Sequence, residues 1–343
     1  MAEVEREMAA RKARWTQFLE RSGPPGHMLL VRYDEGLPPR PLPHPDRVAE
    51  RIEWAWLKYR KQLEAASWLD DDAVPCLDPY TGTEIFAAAF GCRVHRPEDT
   101  NPFALPLIHD AGEVAGLRVP EISAEPLAVL FEIADELRRR AGPEGLMRLP
   151  DIQSPMDIAA LIWDKNDFYI AALEAPEAVR ELAAKVRQLL TAFLDEWFAR
   201  YGRDFVAHYP DYYMPGGITL SEDEIGAVNP EMFRQLFLPE LAELSSRYGC
   251  LGMHCCADAH QHWEAWKEIP ALRLLNIVQK PPVVQEAYTY FAGHTTQMHS
   301  WCGDGEPAAW TFPEDSRVVV SAGGGPPDAA RELVEKLRGP LGR

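Results

Sequence analysis

The residues with the most chemistry to offer lie in one stretch, Gly249-Cys250-Leu251-Gly252-Met253-His254-Cys255-Cys256-Ala257-Asp258. A short apolar run, bounded by glycine and too short for a helix, ends in an imidazole and two adjacent thiols. As a strand it sends His254 and Cys256 to one face, because side chains alternate with period 2. A His-x-Cys pair at a strand end is a soft nitrogen and sulfur chelate, with zinc as its usual occupant. The same letters also fit a buried thiol pair beside a core histidine, since free cysteine is among the most buried residue types. Cys302 is a third candidate ligand, which would leave one coordination position open for substrate; Cys255 and His299 are alternates. A thiol on such a metal is deprotonated and becomes a good nucleophile near neutral pH.

Two further stretches are dense in polar groups after apolar runs. In Cys76-Leu77-Asp78-Pro79-Tyr80-Thr81-Gly82-Thr83, Asp78 and Tyr80 stand where α/β proteins place chemistry, although Asp78 also fits a capping turn. In Phe205-Val206-Ala207-His208-Tyr209-Pro210-Asp211-Tyr212-Tyr213, a strand is followed by a loop in which His208, Asp211, Tyr212 and Tyr213 are candidate substrate contacts. Ser221-Glu222-Asp223-Glu224 reads as a solvated charge run, and His260 and His262 as surface or supporting groups.

The elements that must position these groups recur regularly. Strand-like runs begin near Cys250, Leu272, Thr296 and Arg317, separated by helical patterns at 259–268 and 283–292 and followed by one at 327–338. This β-α-β-α period implies parallel strands with right-handed crossovers. The strands end at His254/Cys256, Asn276/Gln279, His299/Cys302 and Ser321-Ala322-Gly323-Gly324, which a barrel gathers on one rim. Upstream, residues 176–201 form the clearest helix, with Pro176 at its start and Gly202 as its stop. A strand is expected over 27–33, another near Leu149–Ser154, and a helix from Asn229-Pro230 to Gly249. The expected class is α/β, a single (β/α)8 TIM barrel over 26–343, preceded by a helical extension over 1–25. A doubly wound sheet is the rival, but no Gly-x-Gly-x-x-Gly turn follows any strand.

At 343 residues, 26% charged and 46% hydrophobic, the chain has the composition of a globular protein. The net charge of −18 argues against nucleic acid and anionic membrane surfaces as partners. No apolar run of about 18 or more residues is present, so no membrane-spanning helix is expected. The charged start and the six cysteines point to a cytoplasmic protein with reduced thiols. A small-molecule substrate is expected, and a homo-oligomer is left open.

With these residues in view, the chain after its first 25 residues resembles the uroporphyrinogen decarboxylase superfamily. The likeness rests on Arg32, Asp78, Ser154-Pro155, Glu222-Asp223-Glu224-Ile225-Gly226 before Asn229-Pro230-Glu231-Met232-Phe233, and Asn276-Ile277-Val278-Gln279. That superfamily adopts a (β/α)8 barrel and contains cofactor-free porphyrinogen decarboxylases and zinc-dependent methyltransferases that work with corrinoid proteins. Met253-His254-Cys255-Cys256 and Asn276-Ile277-Val278-Gln279 are similar to the methyltransferase branch. The decarboxylases' Arg-Gln-Ala-Gly-Arg segment is absent except for Arg32, and their active-site tyrosine aligns with Leu161. Where the methyltransferases have a last cysteine ligand, this chain has Gly324.

The resemblance implies zinc on His254 and Cys256, with Cys302 taking the third position that Gly324 cannot fill, and a methyl group passing between a corrinoid partner protein and a thiol or other small acceptor. By that likeness Arg32 and Asp78 are expected to be catalytic; Asp211 and Tyr212 are expected beside them from their loop, with substrate contacts from Tyr80, His208, Glu224, Gln279 and His299. The alternatives are a metal-independent decarboxylase, with Arg32 holding a carboxylate and Asp78 contacting the substrate, and a non-catalytic corrinoid- or tetrapyrrole-binding barrel.

Overall fold

The computed structural model describes residues 2–304 and 311–341. Seven strands form the main sheet: β1 (Gly26–Arg32), β2 (Ile218–Ser221), β3 (Leu251–Cys255), β4 (Leu272–Gln279), β5 (Thr296–Gln297), β6 (Ser300–Trp301) and β7 (Arg317–Gly323). Their order is β1-β7-β5-β4-β3-β2, with β6 against β4, and every pairing is parallel. β5 and β6 follow one another along β4 and occupy a single position round the sheet. The remaining arc is carried by isolated parallel bridges, Gln153↔Ser221 and Leu77↔Met147. Eight parallel strand positions result, with the middle of each long strand buried. The protein is α/β, arranged as a (β/α)8 barrel.

The seam between β1 and the segment entering Leu77 is made differently. Asp72 N–H donates to Leu29 O at 2.8 Å, but the amides of Leu29 and Val31 donate to the carboxylates of Asp72 and Asp71 (2.8 and 3.0 Å). Buried carboxylates need cations. Arg11 meets Asp71 at 3.0 Å, while Arg14 and Arg338 meet Asp72 at 3.1 and 3.2 Å. The helix Ala2–Leu19 therefore supplies part of the barrel's closure. It lies across the N-terminal end: Lys12 pairs with Asp204, Arg21 donates to the carbonyls of Gly293 and His294, and Trp15 donates to Asp72 O.

The helix at 176–201 has the expected bounds, Pro176–Tyr201, with eleven inward residues buried. The expected helix from Asn229 is interrupted: Pro230–Met232 passes through a π turn at Phe233–Phe237 into Leu238–Tyr248. The pattern at 259–268 yields only a 3-10 turn, His260–His262, and one helical turn, Trp263–Trp266. Phe205–Val206 does not begin a long strand; it pairs antiparallel with Tyr213–Met214, folding the intervening loop back over the barrel mouth. Glu222 is 0% exposed, so the run at 221–224 is no solvated surface. The described residues contain no helix long and apolar enough to cross a membrane, and all six cysteines are free.

Candidate metal centre and adjoining cavity

β2 and β3 lie side by side with Ser221 opposite His254. Beyond the end of that pairing the chain turns so that Asp223 meets the amide of Cys256, while the strand period of 2 places His254 and Cys256 on one side. One donor atom from each of the three comes within 4.8 Å of the others, giving an N, O and S set suited to zinc. Their surroundings prepare them for that role. Asn276, fully buried, donates its Nδ2 to Met298 O and so turns its Oδ1 to His254 Nδ1 at 2.5 Å. His254 must then carry its proton on Nδ1, which leaves Nε2 as a lone-pair donor. Asp223 Oδ1 accepts from Cys256 N–H at 2.6 Å, leaving Oδ2 for a cation. Burial, and then the charge of Asp223, pushes the Cys256 thiol up to about 12. A thiol held protonated beside a carboxylate becomes a ligand when a cation offsets both effects.

The Asp223 loop is anchored from below. Asp157 accepts from the amides of Asp223 and Glu224 at 2.8 and 2.9 Å and faces Glu222 across a buried site. Burial raises both carboxyls, Asp157 to about 7 and Glu222 well above its ordinary value, so the pair holds a proton. Gln279 buttresses the other side, donating to Ala257 O at 2.8 Å and Cys256 O at 3.3 Å. Glu224, expected at the substrate, is engaged instead by Lys165 and Tyr169 at 2.7 and 2.5 Å. His262 is buried, bonded to Ile225 O at 2.9 Å, whereas His260 is exposed and pairs with Glu286.

Cys302 does not join the cluster. The register explains why: Cys256 follows Cys255, which faces Ile277, whereas Cys302 follows Trp301, which faces Gln279. The two cysteines are thus two strands apart and two residues out of step, on the order of 11 Å between Cα atoms. Cys255 is turned into the core. Gly324 stands at the end of β7, where its N–H bonds Arg32 O at 3.1 Å. At neighbouring Gly323, φ is 117° and a Cβ would collide with the Arg32 backbone, so only glycine passes there.

Beside the cluster the rim is strongly polar. Asp78 is buried between Lys58 Nζ at 3.2 Å and Arg148 Nε at 3.5 Å. Burial alone would raise its pKa, but Arg148 and then Lys58 outweigh it and hold the carboxyl well below the usual range. Arg148 also binds Asp211 at 2.7 Å. His208 stacks on Tyr80 with ring centroids 6.1 Å apart and lies 3.6 Å from Asp151, while Arg40 covers the Tyr80 ring at 3.5 Å. These groups line an open pocket of about 350 Å³.

A second cavity of about 560 Å³ shares Lys58, Arg148, Tyr209 and Asp211 with that pocket and runs into the barrel. Arg32, Tyr212 and His299 line it. Tyr212 is buried, its hydroxyl occupying the space a side chain at Gly252 would need. His299 donates Nε2–H to Gln297 Oε1 at 2.8 Å and accepts from Ile277 N–H at 3.2 Å; burial lowers its pKa to about 3, so it stays neutral. Tyr209, passed over in the sequence, borders both spaces and packs edge-on against His254, 4.8 Å between ring centroids. Only its place between His208 and Asp211 marked it.

Comparison with known proteins fits this architecture. No curated protein matches the sequence. The fold is similar to a methyltransferase from Methanosarcina mazei, with a TM-score of 0.62 and 13% identity over 95% of this chain and 99% of that one. A family model for uroporphyrinogen decarboxylase (URO-D) matches residues 80–288, more than half the chain and the span that contains Asp223, His254, Cys256 and Asn276. The chain belongs to the uroporphyrinogen decarboxylase family.

Proposed function

We propose that this chain is a zinc-dependent methyltransferase of the family, with Asp223, His254 and Cys256 as the metal ligands. The single observation that supports it best is the oriented donor set: three donor atoms within 4.8 Å, with the histidine tautomer set by Asn276. In this reading Cys302, named from the sequence as third ligand, gives way to Asp223. A bound zinc supplies Lewis acidity that holds an acceptor thiol in its nucleophilic, deprotonated form. The chain's own residues do the rest. Asn276 and Gln279 hold the ligands in place, and Tyr209 screens His254 from water. Arg32, Asp211, Tyr212, Tyr80, His208 and His299 bound the space where the acceptor and the methyl donor meet. A corrinoid carried by a partner protein is the proposed methyl source.

Metal-independent decarboxylation has less support. Asp78, which would have to stabilise a developing cation, is already neutralised by Lys58 and Arg148. The test is methyl transfer from methylcobalamin to small thiols by zinc-loaded protein. Activity that disappears in His254→Ala is expected; equal turnover after zinc removal contradicts the proposal.

A further inference from the structure

The interior of a (β/α)8 barrel is ordinarily filled by layers of side chains. Here a cavity of about 560 Å³ reaches from Arg32 and Trp301 at the rim to Trp15 and Arg11 on the N-terminal helix. Small residues at wall positions, Cys76 and Ser321 among them, leave this space. Its walls are aromatic: Trp15, Tyr33, Trp54, Tyr209, Tyr212 and Trp301 all border it.

Most of the charges along it are already spent. Arg11 is paired with Asp71, Lys58 with Asp78, and Arg148 with Asp78 and Asp211. Among the described residues, Arg32 is the lining cation that makes no ion pair, and it stands at the mouth. Glu35, on the same wall, is raised by burial and acted on in the opposite sense by Lys58 and Arg148, and it makes no ion pair with Arg32 among the described residues.

From this we infer the substrate class: a compact amphipathic molecule whose aromatic or alicyclic body enters the barrel and whose single anionic group stays at Arg32. The inference rests on reading this rim as the reaction centre, which Tyr209 joins to the cavity through its contact with His254. Size narrows the class. Benzene occupies an engineered cavity of roughly 150 Å³, about 25 Å³ per non-hydrogen atom, so this space holds about 20 such atoms. A one-carbon substrate would leave it almost empty. A macrocyclic tetrapyrrole with many carboxylates is roughly three times too large for it and would need more than one unpaired cation.

Quenching of tryptophan fluorescence tests this on the full-length protein stripped of metal, because Trp15, Trp54 and Trp301 line the cavity. Saturable quenching by 4-methoxybenzoate is expected, with methylammonium giving none. Affinity should fall about fivefold in Arg32→Gln, a change at an exposed side chain. It should be lost in Ser321→Phe, which fills the space. Equal binding of methylammonium, or 4-methoxybenzoate binding unchanged in Arg32→Gln, overturns the inference even if Ser321→Phe fails to fold. Because no metal is present, a failure here is separate from a failure of the zinc reading.

Discussion

Replacing Asn276 by alanine separates a metal-orienting role from plain core packing. Asn276 is fully buried and makes two bonds, accepting from His254 Nδ1–H at 2.5 Å and donating to Met298 O. Asn276→Ala strands one buried donor and one buried acceptor, each at about 1–3 kcal/mol, so unfolding free energy without metal should drop by about 2–6 kcal/mol. His254 is also freed to change tautomer and rotate, which for groups supporting a metal-bound histidine typically costs about 10–100-fold in metal affinity. Asn276→Asp retains the acceptor for His254 but not the donor for Met298. It should lose stability while holding zinc within a few-fold of the parent. Urea unfolding measures the first quantity, and zinc competition against a chromophoric chelator the second. If Asn276→Ala unfolds more easily yet binds zinc as tightly as the parent, His254 is not a ligand through Nε2 and the reasoning fails.

Other outcomes follow from the same contacts. His299 has a folded pKa of about 3 against about 6.5 unfolded, so the folded state binds fewer protons. Its contribution is fully present above pH 6.5 and is lost on acidification, about 2–3 kcal/mol between pH 6.5 and 4.5; calorimetry of His299→Gln should show a flatter acid limb. Asp78, whose folded pKa is depressed, adds a further loss only as pH falls below its unfolded value near 4. Arg148→Met should cost about 3–5 kcal/mol in urea unfolding, because Asp78 is left buried with Lys58 alone, and Arg148→Met with Asp78→Asn should recover part of it.

The β-α period of the last third, the helix at 176–201 and the His254/Cys256 pair were legible because each depends on local pattern. Asp223 was not. Four consecutive polar letters at 221–224 look solvated, and only the pairing of Ser221 with His254 shows that they continue a barrel strand inward. The same kind of information was missing for Cys302, whose sulfur chemistry is right but whose register is two residues off. Arg32 and Asp78 were both singled out as active groups. Only the structure separates them, since Lys58 and Arg148 reach Asp78 from 20 and 70 residues away while Arg32 makes no ion pair among the described residues. The seam of β1 was equally hidden. Nothing local to Asp71 and Asp72 says that their carboxylates take the place of strand carbonyls or that Arg11 must answer them.

Cobalt(II) titration of the stripped protein tests the metal centre most directly. One equivalent should bind with a sulfur-to-cobalt charge-transfer band that is lost in Cys256→Ser, weakened in Asp223→Asn and unchanged in Cys302→Ser. Absence of stoichiometric binding, or a band that depends on Cys302 and not on Asp223, would contradict the account.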